Sequence, residues 1–164
     1  MPRESLQTLY EHELKDLYSA EHQILEALPK LIKAATNPDL KASLTEHKAI
    51  TEKQVERLDQ IYQELGKRPE SEKCKGMEGL LKEGDKAIEE FKDSDVLDAA
   101  IIAAAQRVEH YEIAGYGCAR TYANMLGLGD QAELLQTTLN EEGEADHRLT
   151  DLAEECVNIE AMKE

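Results

Sequence analysis

The chain has 164 residues, 41% apolar and 33% charged, with no Trp and a single Phe. That length suits one domain with one sizeable core, residues 1–164, and the composition excludes a disordered chain. A net charge of −16 repels nucleic acid and anionic membrane surfaces, so partners of those two classes are not expected.

No apolar run reaches the length of a membrane span, and Met1–Tyr10 lacks the apolar core of a signal peptide. Three cysteines, Cys74, Cys118 and Cys156, form an odd set without CxxC spacing. They read as reduced thiols in a cytoplasmic protein, with Cys118 and Cys156 as small buried hydrophobes. A core made of Leu, Ile, Val, Ala, Met and Tyr favours helices.

Pro2 marks the start of a first helix. Its seam, Tyr10, Leu14, Leu17, Glu21, Ile24, Leu28 and Leu31, alternates steps of four and three. Pro29 falls inside it, where a kink or bend is expected. Asn37-Pro38 separates this stretch from the second, with Asn37 as cap. The second seam runs Leu40, Leu44, His47, Thr51, Gln54, Leu58, Ile61, Leu65 and ends at Gly66-Lys67-Arg68-Pro69. A short amphipathic segment, about Met77 to Phe91, follows the loop that holds Cys74.

The third long helix begins after Ser94-Asp95, an expected N-cap, and shows two seams. Leu97, Ile101, Ala104, Val108, Tyr111, Gly115, Cys118 and Tyr122 form one. Ile102, Ala105, Glu109, Glu112, Tyr116, Ala119, Ala123 and Leu126 form the other, so burial over a wide arc is expected. Gly127-Leu128-Gly129-Asp130 closes it and caps the fourth, whose seam is Leu135, Leu139, Glu142, Asp146, Leu149, Ala153, Cys156. Four helices of roughly 25–33 residues are expected, each about 40–50 Å long. Short first-to-second and third-to-fourth connections make antiparallel hairpins. The long second-to-third crossover, with its short extra helix, gives an all-α, ferritin-like four-helix bundle.

Polar residues interrupt these apolar seams. Glu21 breaks the first, and His47, Thr51 and Gln54 break the second. Glu109 and Glu112 share a face of the third, as Glu142 and Asp146 do on the fourth. Glu21, His47, Glu109 and Glu142 each lie well inside a helix, so antiparallel packing brings them to one level. Several buried carboxylates at one level must protonate, recruit cations or bind metal. His47 reads either as a ligand or as a core histidine bonded to a Glu or a carbonyl. Glu144-x-x-His147 has metal-motif spacing but turns toward the charged face beside Asp151, so it reads as solvated. His12 and His22 read as surface residues. Tyr18, Tyr111, Tyr116 and Tyr122 read as packing residues with hydrogen-bonded hydroxyls.

The stretches Asp16-Leu17-Tyr18-Ser19-Ala20-Glu21, Cys74-Lys75-Gly76-Met77-Glu78-Gly79-Leu80, Val108-Glu109-His110-Tyr111-Glu112-Ile113-Ala114 and Leu139-Asn140-Glu141-Glu142 resemble the bacterial YciE/YciF family over nearly the whole chain. That resemblance implies a ferritin-like stress-response protein that forms homodimers, related in fold to rubrerythrin and other di-iron or di-manganese carboxylate proteins. It implies iron or manganese, one or two ions per chain, with Glu21, Glu109, Glu112 and Glu142 as ligands and Asp146 at a common acidic position. A small oxidant, peroxide or dioxygen, would be reduced or dismutated. The family pattern His-x-x-Glu-Thr reads His47-Lys48-Ala49-Ile50-Thr51 here. Ile50 therefore stands where a carboxylate is expected. His47, Glu46 or a water would compensate, or the site holds one metal, or none tightly. The alternatives to an enzyme are a non-catalytic metal-binding protein and a structural or interaction protein with a degenerate site.

Overall fold

A computed structural model describes residues 5–163; the expected role of Pro2 lies outside them. The described chain is helical throughout: α1 Leu6–Ala34, α2 Pro38–Glu64, α3 Lys75–Phe91, α4 Leu97–Met125, α5 Gly129–Leu152, a π-helical turn Ala153–Val157 and α6 Asn158–Ala161.

Local chemistry sets most boundaries. Ser5 Oγ accepts from the Thr8 N–H at 3.2 Å, and Asn37 Oδ1 accepts from the Asp39 and Leu40 N–H groups. These bonds satisfy donors that an α-helix leaves unpaired at its start. Gly66 (φ 66°) and Gly127 (φ 74°) take the left-handed conformation after α2 and α4. There the chain reverses through Lys67 N–H to Tyr62 C=O and Leu128 N–H to Ala123 C=O bonds. Pro29 lies exposed within an uninterrupted α1.

Two expected caps are corrected. Helix α4 starts at Leu97 behind Val96 without a side-chain cap, while Ser94 Oγ accepts from the Val96 N–H within the preceding turn. Helix α5 starts behind Leu128, and Asp130 lies in its first turn. There it can favour the positive end of the helix dipole without capping it.

Helices α1 and α2, and α4 and α5, form two antiparallel hairpins, with α1 against α4 and α2 against α5. Asp98, at the start of α4, ties the α1–α2 turn to this arrangement. Its carboxylate accepts from Thr36 N at 2.8 Å, Thr36 Oγ1 at 2.6 Å and Asn37 N at 2.8 Å. Asp98→Ala is expected to cost about 2–3 kcal/mol, because it strands two backbone donors beside a lost carboxylate. Thermal unfolding checks this; an unchanged midpoint would refute it. The crossover returns along the bundle as α3, which packs on α4 and α1.

The wide burial of α4 holds only where α3 covers it. Ile101 and Val108 are buried, but Tyr111, Gly115 and Tyr122 are half-buried and Cys118 is exposed. The expectation for Cys118 is corrected because α3 covers only the first half of α4, its N-terminal Gly76 lying beside Tyr111. Cys156 is likewise only half-buried. The π turn widens the helix and places Val157, rather than Cys156, on the core face. Cys74 is the buried cysteine: its Sγ caps α3 by accepting from the Met77 N–H at 3.3 Å, and it lies 3.0 Å from the Tyr111 hydroxyl.

Two apolar clusters fill the interior. One gathers Ile24, Leu28, Leu44, Ile101, Ile102 and Leu149. The other gathers Tyr10, Leu14, Leu58, Ile61, Tyr116 and Leu135. Glu21, His47, Glu109, Glu112 and Glu142 lie along the helices between the residues of these clusters.

Candidate metal centre

The seam that buries leucines elsewhere aims four carboxylates and an imidazole into the interior. Glu21, Glu112 and Glu142 are fully buried; Glu109 is 3% and His47 8% exposed. Donor atoms of His47, Glu109 and Glu142 all lie within 4.8 Å of one another, and His47 Nε2 is 3.4 Å from Glu109 Oε1.

Their polar atoms are short of partners. Glu21 Oε2, both His47 ring nitrogens, Glu109 Oε2, both Glu112 oxygens and Glu142 Oε2 are buried without a hydrogen bond inside the protein. Folded proteins pair nearly all such atoms. A divalent cation would satisfy oxygens and an imidazole nitrogen together, and it would relieve the repulsion among the carboxylates. The residues present therefore fit a metal ion.

The electrostatics agree. Burial, followed by repulsion from Glu142, pushes the Glu21 carboxyl up to about 8. Burial also raises Glu109, aided by its contact with Glu142, and raises Glu112, aided by the charges of Glu142 and Glu21. Without a cation these acids keep their protons far above the ordinary carboxylate range.

Tyr116 and Gln54 orient two of the carboxylates. The Tyr116 hydroxyl donates to Glu21 Oε1 at 2.5 Å. Gln54 Nε2 donates to Glu142 Oε1 at 2.6 Å and to Glu141 Oε2 at 3.2 Å. Arg57 grips Glu141 through two bonds of 2.6 and 2.7 Å. Gln54 was legible as a break in the second seam and Tyr116 as a seam residue. Nothing in the spacing showed that either one binds a carboxylate. Thr51 is buried, but its hydroxyl returns to the His47 carbonyl at 2.9 Å.

Asp146 stands apart from the closest donors. It is half-buried at the rim, with Oδ1 3.4 Å from His110 Nδ1. Ile50 is half-buried and lines a small cavity of about 20 Å³ with His47, Glu109 and Arg148. The side chain at position 50 thus reaches the edge of the site, where a carboxylate would add a donor. Glu144 and His147 are exposed, as are His12 and His22.

Comparison with known proteins places this chain among relatives. A family described as a domain of unknown function, DUF892, matches residues 5–162. Protein YciF of Escherichia coli is 44% identical over 162 residues, covering 98% of both chains. The crystal structure of the E. coli stress protein YciF superposes with a TM-score of 0.90 at 44% identity, covering 94% of this chain and 98% of that one. YcfI of Rhodopseudomonas palustris, named as a candidate structural protein, gives 0.88 at 47% identity, covering 92% and 97%. Among the described residues, no helix is long and apolar enough to cross a membrane.

Proposed function

The chain belongs to the DUF892 family, and from that premise we propose that it is a metal-binding member, holding a divalent ion between α2, α4 and α5. The observation that carries this reading is the buried trio His47, Glu109 and Glu142, whose donor atoms lie within 4.8 Å of one another. Glu21 and Glu112 extend the donor set on α1 and α4, and Asp146 forms its outer edge.

Bound iron or manganese would supply one-electron chemistry toward a small oxidant such as peroxide or dioxygen. The chain's own residues do the rest. Tyr116 holds Glu21 and keeps a proton at its phenolic oxygen, which burial and the Glu21 charge push well above the ordinary tyrosine range. Gln54 fixes the Glu142 carboxylate, while Arg57 holds Glu141 beside it. The apolar clusters at either end exclude water, which strengthens each charge interaction. A stress-response role and assembly as a homodimer, checked by light scattering, belong to the same proposal.

Metal content tests the reading. Protein purified without chelator, or titrated with Mn(II) or anaerobic Fe(II), should bind one ion per chain and melt higher when loaded. Absence of binding by both ions would refute it. Ile50→Glu adds a carboxylate beside His47 and Glu109 and is expected to raise the capacity from one ion to two. A stoichiometry that does not change would show that position 50 lies outside the reach of a second ion.

A second reading, a structural protein with a degenerate site, draws support from Ile50 and from the description of the R. palustris relative. It predicts the same fold with neither ion bound, so the titration separates the two.

A further inference from the structure

Two small cavities lie between the underside of α3 and the edge of the candidate site. The outer one, about 30 Å³, lies between α3, α1 and α4 and includes Leu80, Gly84 and Ile88 in its walls. The inner one, about 20 Å³, reaches His47 and Glu109 through Ile24, Leu28 and Leu44. They share Ala27, Leu31, Leu81, Ala105 and Val108, so the same side chains stand between them.

The position of α3 explains why the outer cavity lies near the surface. Only Met77 and Gly84 of its 17 residues are buried. Leu80, Leu81 and Ile88 are half-buried. The Lys30–Asp85 ion pair, at 2.8 Å, joins α1 to α3 beside the outer cavity, whose lining includes Asp85.

The walls decide what can use this path. Each cavity has roughly the volume of one water, but a buried water needs two to four polar partners, and between Asp85 at the outer end and His47 and Glu109 at the inner end the walls are aliphatic. Hydrogen peroxide entering there would give up hydrogen bonds that the walls do not replace, whereas dioxygen has none to lose. The cavity between α2 and α5 has a different character. There the Glu46–Arg148 ion pair, at 2.9 Å, borders the space that reaches the same His47 and Glu109.

We infer that the two apolar cavities form a dry approach for a small apolar gas, of which dioxygen is the reactive member, ending against His47 and Glu109. Strongly hydrogen-bonding species find partners instead on the side between α2 and α5, at the Glu46–Arg148 ion pair. The destination of this path rests on the metal reading above; the path itself does not.

Dissolved dioxygen is itself a paramagnetic probe. In the full chain, methyl relaxation under dioxygen pressure should be enhanced several-fold at Leu31, Leu81, Ala105 and Val108 relative to Leu14, Leu58 and Leu135 in the opposite cluster. Xenon should shift the same methyl resonances. Ala105→Leu fills the shared wall and is expected to bring the enhancement down to the reference level. Gly84→Ala is a gentler variant: its Cβ would meet only the Ala104 Cβ, at 3.6 Å, an ordinary contact. It should weaken the effect at Leu81 without unfolding the protein. Equal enhancement in the two clusters, or no change in either folded variant, overturns the inference. Metal titration of the same samples keeps the two ideas apart. Metal uptake without gas at these methyls overturns the path alone, while gas without metal uptake overturns the metal reading alone.

Discussion

Glu109→Gln is expected to abolish tight metal binding while leaving the fold intact. Glu109 is the member of the trio that touches His47, and its second oxygen has no partner in the protein. Glutamine keeps the shape but offers a neutral carbonyl or a competing N–H. Loss of an outer partner that merely orients a ligand commonly costs 10–100-fold in affinity, so loss of a ligand should exceed about 100-fold. The same change should stabilise the metal-free protein at high pH by about 1–4 kcal/mol, because one buried charge no longer needs a counter-ion. At low pH the acid is already protonated and the gain should vanish. Titration calorimetry and melting of both proteins, with and without metal, provide the check. Wild-type affinity in the variant would remove Glu109 from the site.

The second large effect is the response of the metal-free protein to pH. An ordinary glutamate ionises near 4.5, whereas Glu21 in the fold does so at about 8. Below 4.5 the group is protonated in both the folded and unfolded chain, so it imposes no penalty. Between these values the unfolded chain releases the proton and the folded chain retains it, so stability falls as pH rises. At about 1.4 kcal/mol per pH unit, Glu21 alone accounts for roughly 5 kcal/mol across this window. Glu109 and Glu112 are raised as well and add in the same direction. Metal binding needs these carboxylates ionised, so the rise in melting temperature on loading should grow with pH. The net charge of −16 also strains the fold as pH increases. Glu112→Gln separates the causes: it barely alters net charge but should flatten the slope. A metal-free midpoint that stays constant between about pH 5 and 8 would contradict the buried-acid account.

Much of this site was legible because it violates a rule. Glu21, Glu109, Glu112 and Glu142 occupy positions that helical periodicity reserves for leucine, and antiparallel hairpins bring such positions together. The hairpins themselves followed from the short connections at Asn37-Pro38 and Gly127. What stayed hidden depends on partners rather than on spacing. Gln54 and Tyr116 acquire their roles only when α5 and α1 arrive opposite them. The exposure of Cys118 depends on how much of α4 the crossover helix covers, which periodicity along α4 does not record. Asp146 shares a seam with Glu142 yet sits at the rim, because one further turn carries it past the level of the other carboxylates.

The π turn at Ala153–Val157 holds one residue more than the core needs. Such a turn fits about one more residue into a helical turn than the flanking α-helix does, so a relative with one residue fewer there can keep its core. Deleting exposed Glu154 or Glu155 would shorten the turn toward α-helical geometry while leaving Leu149 and Ala153 in place. Residues after Ala153 in such a relative would be numbered one lower than here while keeping the same places against the core.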